Sequence, residues 1–128
     1  MMFPDRPKTV LVVDDEPEIR ELLQEIASQH ECRVLQAEHG EAAWKIAQGE
    51  PVHLLITDLM MPERDGIETM QQFRTAYPDL KVIAISGRMD GPYLRMARML
   101  GADATLPKPL DMETLSALIG EFLNGPAS

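Results

Sequence analysis

Cysteine and basic residues are both scarce in this sequence. Cys32 is the single cysteine among 128 residues, so the chain cannot form an internal disulfide and shows no cysteine-based metal pattern. We expect Cys32 to be a small core residue. The sequence has 12 Lys and Arg residues but 21 Asp and Glu residues, which gives a net charge of −9. Because nucleic acids and anionic membranes are bound through clustered Lys and Arg, this balance argues against both as direct partners.

Long hydrophobic runs are missing as well. No apolar stretch approaches the roughly 20 residues of a transmembrane helix, and the first residues, MMFPDRPK, lack the apolar core of a signal peptide. We therefore predict a cytoplasmic protein. The length corresponds to one domain, which we place at residues 8–124 between flexible termini at residues 1–7 and 125–128.

Two patterns alternate along the domain. Short aliphatic or β-branched runs predict strands at residues 9–13, 33–37, 53–57, 81–85 and 104–106. Several runs are apolar without alternation, which is typical of strands covered on both faces. Each is followed by apolar residues at helical spacing, such as Ile67, Met70, Phe73 and Tyr77 in the third helix and Tyr93, Met96, Ala97 and Leu100 in the fourth. We predict an α/β fold, a five-stranded parallel sheet with helices on both faces.

Polar side chains follow four of the predicted strands at the point where each strand ends. Asp14 and Asp15 follow the first strand, Asp58 ends the third, Ser86 ends the fourth and Lys108 lies just beyond the fifth. Ligands of open α/β sheets bind beyond the carboxyl ends of the strands, where the strand order reverses. With the order 2-1-3-4-5, these five side chains would therefore meet in one cleft.

Three carboxylates in one cleft would force at least one of them to take up a proton. A divalent cation removes this penalty, and oxygen ligands of this kind suit Mg²⁺. A metal, an ammonium and a hydroxyl around one carboxylate are the parts of a phosphoryl-transfer site. A carboxylate can itself become an aspartyl-phosphate, and Asp58 is the candidate because it stands alone on the central strand.

Four segments of the chain occur in a fixed order, VLVVDDEP, LLITDLMMPERDG, VIAISGR and GADATLPKP. In this order, over residues 8–124, the chain resembles the receiver domain of two-component response regulators. The resemblance implies a flavodoxin-like (βα)5 fold and a phosphoacceptor role in a two-component or phosphorelay pathway. The donor would be a sensor histidine kinase or a histidine phosphotransfer protein, and the signal would pass to a downstream protein partner. Such a domain is a monomer or weak homodimer that promotes its own phosphorylation and dephosphorylation, not an enzyme with a separate substrate.

The resemblance also implies a role for each residue of the metal site. Asp58 would be the phosphoacceptor, and Asp15 and Asp58 would bind Mg²⁺ directly. Asp14 would act largely through a bound water, and the backbone carbonyl of Met60 would be a further ligand.

Other residues would handle the phosphoryl group itself. By the same resemblance, Ser86 would contact this group and Lys108 would neutralise it, with a cis Lys108-Pro109 bond. Gly87 would leave room beside the site. Met60 and Arg88 occupy positions that tune the lifetime of the phosphoryl group in the family.

Thr105 departs from the family pattern, in which this position typically holds Tyr or Phe. In the family that ring moves inward when the Ser or Thr hydroxyl moves toward the phosphoryl group. Threonine is too small to fill the same volume, so we expect Ser86 and Thr105 to form an altered switch. Phosphorylation would instead be reported by residues 88–99. Leu110 likewise replaces a commonly found Phe.

Several alternatives stay open at this point. A phosphatase with an aspartyl nucleophile would carry a second Asp two residues after Asp58, where this chain has Met60. A flavin-binding protein would need a phosphate-binding loop after the first strand, where DDEPE would repel phosphate. The chain could also be a receiver-like interaction module that is not phosphorylated. It could equally be one piece of a longer regulator or hybrid histidine kinase.

Overall fold

Strands and helices alternate along the whole described chain. The computed structural model describes residues 7–59, 66–87 and 91–124, apart from the side chains of residues 91–94. The elements are β1 (Lys8–Val13), α1 (Pro17–Ala27), β2 (Cys32–Ala37), α2 (Gly40–Gly49), β3 (Leu54–Asp58), α3 (Gly66–Ala76), β4 (Lys81–Ser86), α4 (Gly91–Met99), β5 (Ala104–Pro107) and α5 (Met112–Asn124). Every predicted strand is present, with bounds within one residue of the prediction. The termini predicted to be flexible lie, except for Pro7, outside the described residues.

The sheet is parallel and has the order β2-β1-β3-β4-β5, which confirms the predicted topology. The register pairs Val13 with Thr57 and Asp58 with Ile85, so β1, β3 and β4 end at nearly the same level. Strand β2 lies on one side of β1, and β3, β4 and β5 follow on the other side, so the strand order reverses between β1 and β3. The residues that follow these two strands therefore share the crevice where an open α/β sheet binds its ligands.

Two hydrophobic clusters cover the two faces of the sheet, because successive strand residues point to opposite sides. The front cluster, under α2, α3 and α4, includes Leu11, Val13, Leu55, Met70, Phe73 and Ala97. The back cluster, under α1 and α5, includes Val10, Val12, Leu23, Ile56, Leu115 and Ile119. All four of residues 10–13 are fully buried, which explains why β1 has an unbroken apolar sequence. Each such side chain contributes about 1.5 to 3 kcal/mol by burial.

The prediction for the fourth helix is wrong at one residue. Met96 was expected on the buried stripe, but its side chain is 42% exposed, whereas Ala97 is fully buried. Consecutive residues of a helix are about 100° apart around its axis. With Ala97 facing the sheet, Met96 is therefore turned toward the surface. The side chain of Tyr93, the first member of the predicted stripe, lies outside the described residues.

Two other side chains have packing roles. Cys32 is partly buried against the back cluster; its thiol donates to the Ala27 carbonyl over 3.2 Å, and burial raises its pKa. Trp44 packs edge-to-face on Phe73, with 5.4 Å between ring centroids, and also contacts Tyr77. None of the helices in the described part of the chain has the length and hydrophobicity needed to cross a bilayer.

Candidate functional site

The acidic run after β1 is not used to cap the helix behind it. Pro17 begins α1, which suits its fixed φ. Glu16 occupies the N-cap position, but its side chain makes no capping hydrogen bond. The carboxylates of Asp14 and Glu16 instead contact Lys108 at the carboxyl end of the sheet.

Asp14 is fully buried and held from several sides. Its Oδ1 accepts a hydrogen bond from the Glu16 amide (2.9 Å), and its Oδ2 accepts one from the Lys108 ammonium (3.2 Å). The guanidinium of Arg20 donates to its backbone carbonyl over 2.7 Å. The pKa of Asp14 is raised to about 6, chiefly by burial and also by the charge of Asp58, while the Glu16 amide and Lys108 oppose the rise.

Lys108 lies among three carboxylates. Its Nζ is 3.0 Å from Asp58 Oδ2, 3.2 Å from Asp14 Oδ2 and 3.5 Å from Glu16 Oε1. Burial by itself lowers the pKa of this ammonium, but the hydrogen bond and charge of Asp58, together with those of Asp14, outweigh it, and the net pKa is raised. The ammonium thus places a positive charge between the ends of β1 and β3 at neutral pH.

The backbone sets where Lys108 enters the site. Its amide donates to the Ser86 carbonyl over 2.8 Å, which joins the end of β4 to the segment after β5. The Lys108-Pro109 bond is cis, as the family resemblance implied. Among the described residues, a Cβ on Gly87 would meet only the Lys108 Cδ, at 3.8 Å, which is an ordinary contact distance. The lysine stem thus passes over a position without a side chain.

Asp58 and Ser86 end adjacent strands and are both buried, with Asp58 2% and Ser86 0% exposed. The Leu59 amide donates to the Ile85 carbonyl over 2.8 Å, so the ladder between β3 and β4 continues one residue past Asp58. Because these two side chains emerge from fully paired strands, their positions are set by the sheet rather than by a loop.

The donor set of the acidic group fits Mg²⁺. Asp14, Asp15 and Glu16 each offer a carboxylate oxygen, and these oxygen atoms all lie within 4.8 Å of one another. All are hard oxygen ligands, and Asp15 and Glu16 are exposed, which leaves room for the waters that Mg²⁺ usually keeps. Asp58 connects to this group through the shared Lys108 ammonium.

The structure places the remaining predicted residues as follows. Thr105 is half-buried in β5 and pairs with Ala84. Leu110 is also half-buried, against the back cluster. Met60 and Arg88, predicted to supply a metal ligand and to tune the phosphoryl lifetime, lie outside the described residues.

The histidines, which carried no predicted function, all have structural partners. His39 accepts a hydrogen bond from the Ala42 amide at the start of α2. His53 accepts one from the Thr9 amide, and His30 bonds to the Ser116 hydroxyl.

Sequence reasoning missed Glu16. A carboxylate just before a helix normally indicates a cap, and only the three-dimensional position of Lys108 shows that this side chain reaches the site. The signal was present in the sequence as the third acid of the run DDE.

A doubly wound parallel sheet with an acidic group and a paired lysine at its carboxyl edge defines a class of α/β domains whose charged site lies where the strand order reverses. Within that class, the model of the family described as "Response regulator receiver domain" matches residues 10–120. The chain belongs to the response regulator receiver domain family.

Individual relatives agree with this assignment. The chain is 38% identical over 104 residues to the response regulator GtcR of Aneurinibacillus migulanus, covering 81% of this chain and 43% of that protein. It is 33% identical over 116 residues to the autoinducer 1 sensor kinase/phosphatase LuxN of Vibrio harveyi, covering 91% of this chain and 14% of LuxN. The chain thus spans less than half the length of either relative.

A solved structure gives the same fold. A response regulator receiver domain protein from Clostridium thermocellum superposes with a TM-score of 0.83 at 26% identity, covering 91% of this chain and 94% of that one.

The chain is therefore a signalling domain of two-component systems. Receiver domains typically bind Mg²⁺ through an acidic cluster, and they interact with histidine kinases or phosphotransfer proteins.

Proposed function

We propose that this chain accepts a phosphoryl group from a histidine of a partner protein onto the Asp58 carboxylate, in a reaction that requires Mg²⁺. The observation that carries the proposal is the Lys108 ammonium, which lies 3.0 Å from Asp58 and 3.2 Å from Asp14. A cation held between the nucleophile and a metal-binding acid is suited to receive the negative charge of an incoming phosphoryl group.

These positions support the following transfer step. A carboxylate oxygen of Asp58 attacks phosphorus; the new P–O bond forms as the P–N bond to the donor histidine breaks, and the histidine nitrogen keeps the electron pair. Lys108 moves its hydrogen bond from Asp58 to a phosphoryl oxygen, and the Ser86 hydroxyl donates to another. When bound by Asp14, Asp15, Asp58 and the Met60 carbonyl, Mg²⁺ neutralises charge on the phosphoryl oxygens. Water would remove the group by attacking phosphorus as the P–O bond to Asp58 breaks, which releases inorganic phosphate and restores the Asp58 carboxylate. Met60 and Arg88 would tune the access of this water.

The partners proposed for this reaction come from the family. The donor is a sensor histidine kinase or a histidine phosphotransfer protein, and the output is contact with a downstream protein as a monomer or weak homodimer in the cytoplasm. The chain itself would contact neither nucleic acid nor membrane. It would act as a signalling domain that promotes its own phosphorylation and dephosphorylation.

We propose that the output switch differs from that of receivers with an aromatic residue at position 105. New contacts from the phosphoryl group bias a two-state equilibrium, and Thr105 cannot transmit this bias by a large ring movement. Amide NMR shifts on adding beryllofluoride, a phosphoryl mimic, should therefore concentrate in residues 88–99. A concerted shift of the whole β5–α5 face would contradict this proposal.

Intact-mass measurement after incubation with acetyl phosphate tests the phosphoacceptor. The wild type should gain one phosphoryl group with Mg²⁺ and none when the metal is chelated. Asp58→Asn should gain none, whereas Asp79→Asn, which removes an exposed carboxylate before β4, should behave as the wild type. Label remaining on Asp58→Asn would contradict Asp58 as acceptor. The absence of any gain would favour the alternative, a receiver-like interaction module that works without phosphorylation.

The match covers only 43% of GtcR and 14% of LuxN. This favours a further alternative, in which this chain is the receiver piece of a longer regulator or hybrid histidine kinase. The mass of the protein in its native cells, detected with an antibody against this domain, distinguishes a longer polypeptide from a stand-alone receiver.

A further inference from the structure

Glu16 links the acidic group to the lysine from the open side of the site. Its Oε1 lies 3.5 Å from Lys108 Nζ, and its side chain is 56% exposed, whereas the side chain of Asp14 on the same ammonium is 0% exposed. It is also a member of the carboxylate group with Asp14 and Asp15. Because its side chain does not cap α1, this contact is not a by-product of helix capping.

We propose that Glu16 is a positioning residue that holds the Lys108 ammonium in the resting arrangement and so sets the balance between Mg²⁺ binding and retention of the phosphoryl group. The inference rests on the proposed function and deepens it. In the resting site, one ammonium is shared by three carboxylates. On phosphorylation that ammonium is needed by the phosphoryl oxygens, and Glu16 attracts it toward solvent instead.

The same charge acts in opposite directions on the two ligands. A carboxylate beside Asp14 and Asp15 attracts a divalent cation, but it repels a phosphoryl group and competes for the lysine. Removing the charge should therefore weaken Mg²⁺ binding and lengthen the life of the phosphorylated state. A residue with a purely structural role would not move these two quantities in opposite senses.

The test compares Glu16→Gln, which keeps size and shape, with Glu18→Gln, which removes the same charge from an exposed position in the first turn of α1. Calorimetric titration of the unphosphorylated protein with Mg²⁺ should give about a two- to fivefold weaker Kd for Glu16→Gln, the range of a partly exposed ion pair. At saturating Mg²⁺, loss of the phosphoryl group should slow by a similar factor. Glu18→Gln should stay near the wild type, and Glu16→Asp should recover part of the Mg²⁺ affinity.

A third readout follows Lys108 directly. The side-chain Cε and ammonium NMR signals of Lys108, measured without phosphorylation, should shift in Glu16→Gln and not in Glu18→Gln. Equal behaviour of the two variants in the Mg²⁺ and lysine measurements would overturn the inference. If no variant is phosphorylated, the proposed function fails, while the Mg²⁺ and lysine measurements still decide whether Glu16 positions Lys108.

Discussion

Gly66, the first residue of α3, lies directly against the backbone of Asp58. A Cβ at position 66 would stand 2.4 Å from the Asp58 carbonyl oxygen and 2.5 Å from the Leu59 Cα. The Gly66 amide also donates to the Leu59 carbonyl over 3.1 Å. The end of β3 and the start of α3 are therefore closed on each other behind the proposed phosphoacceptor, at a distance that only a residue without a side chain permits.

Gly66→Ala should shift the Asp58 backbone, because a backbone neighbour cannot rotate away as a flexible side chain can. We expect a loss of about 1 to 3 kcal/mol in the free energy of unfolding, the range for overpacking, and slower phosphorylation by acetyl phosphate. Chemical denaturation and the mass assay measure the two effects. The matched control is Gly49→Ala, where a Cβ would meet no atom of the described residues within 4 Å. Equal free energies of unfolding for the two variants would show that the backbone around Gly66 can accommodate a Cβ without cost.

Asp14 should make the stability of the metal-free protein depend on pH. Its carboxyl has an ordinary pKa of 3.8 and a pKa of about 6 in the fold, so the folded state binds the proton more tightly. Its contribution to the free energy of unfolding is therefore full below pH 3.8 and is lost as the pH rises through about 6. Relative to the wild type, the free energy of unfolding of Asp14→Asn should therefore rise by about 2 to 3 kcal/mol as the pH increases from about 4 to 7. Chemical denaturation of both proteins at several pH values, with a chelator present to remove metal, measures this difference. A difference between the two that does not change with pH would contradict the prediction.

Asp111 gives a control of opposite sign. Its Oδ1 accepts hydrogen bonds from the Glu113 and Thr114 amides at the start of α5, and its hydrogen bonding to Thr114 lowers its pKa. The stability it contributes should be present above its unfolded pKa and lost as the pH falls through the folded one. Asp111→Asn should therefore be less stable than the wild type at neutral pH and approach it as the pH falls. Asp14→Asn should instead become more stable than the wild type as the pH rises, so the two differences have opposite signs at neutral pH.

Lys108→Met should leave the buried carboxylates of Asp14 and Asp58 without their shared cation. We expect a loss of about 3 to 5 kcal/mol at neutral pH without metal, as when one partner of a buried ion pair is removed. Added Mg²⁺ should restore part of this stability, and so should the double variant Lys108→Met/Asp14→Asn. The control is Lys45→Met, because the Lys45 side chain is 75% exposed and its ammonium lies 4.0 Å from Glu41 Oε1. Thermal unfolding with and without Mg²⁺ measures each effect, and an unchanged Tm for Lys108→Met would refute it.

Arg74 joins two loops at the other end of the sheet. Its guanidinium donates to the carbonyls of Pro78, Leu80 and Gly101 and to the Asp103 carboxylate, over 2.5 to 3.1 Å. Arg74→Met keeps the stem and removes all of these bonds, so we expect a loss of about 2 to 3 kcal/mol. Hydrogen exchange should accelerate most around residues 77–82 and 100–104, with acetyl phosphate labelling unchanged.

The exposed pair of Arg33 and Glu50 is the control for Arg74. These side chains lie 2.9 Å apart but are 53% and 35% exposed, so Arg33→Met should change the free energy of unfolding by less than about 1 kcal/mol. A similar loss in both variants would mean that the bonds to backbone carbonyls add nothing beyond a surface ion pair.

Sequence patterns predicted the fold because the strands have unbroken apolar runs. The predicted topology brings the strand ends together, and it therefore also predicted that Asp14, Asp58 and Lys108 share one site. Contacts made between a side chain and a distant backbone leave no such pattern. The bonds of Arg74 to carbonyl groups and the approach of Gly66 to Asp58 depend on exact backbone paths, so neither could be predicted. Glu16 was missed for a related reason, because its local position suggested a cap while its partner is far away in the chain.

The division of the core into a front and a back cluster has a consequence for how such a chain can change during evolution. Val10 and Val12 belong to the back cluster, while Leu11 and Val13 belong to the front one. Substitutions on opposite faces share few neighbours, so their energetic effects should add. The surface of α2 and α3 can thus acquire new binding specificities without disturbing the packing of α1 and α5. The edge of the sheet that carries the proposed site, which both faces support, is then the part of the molecule with the least freedom to vary.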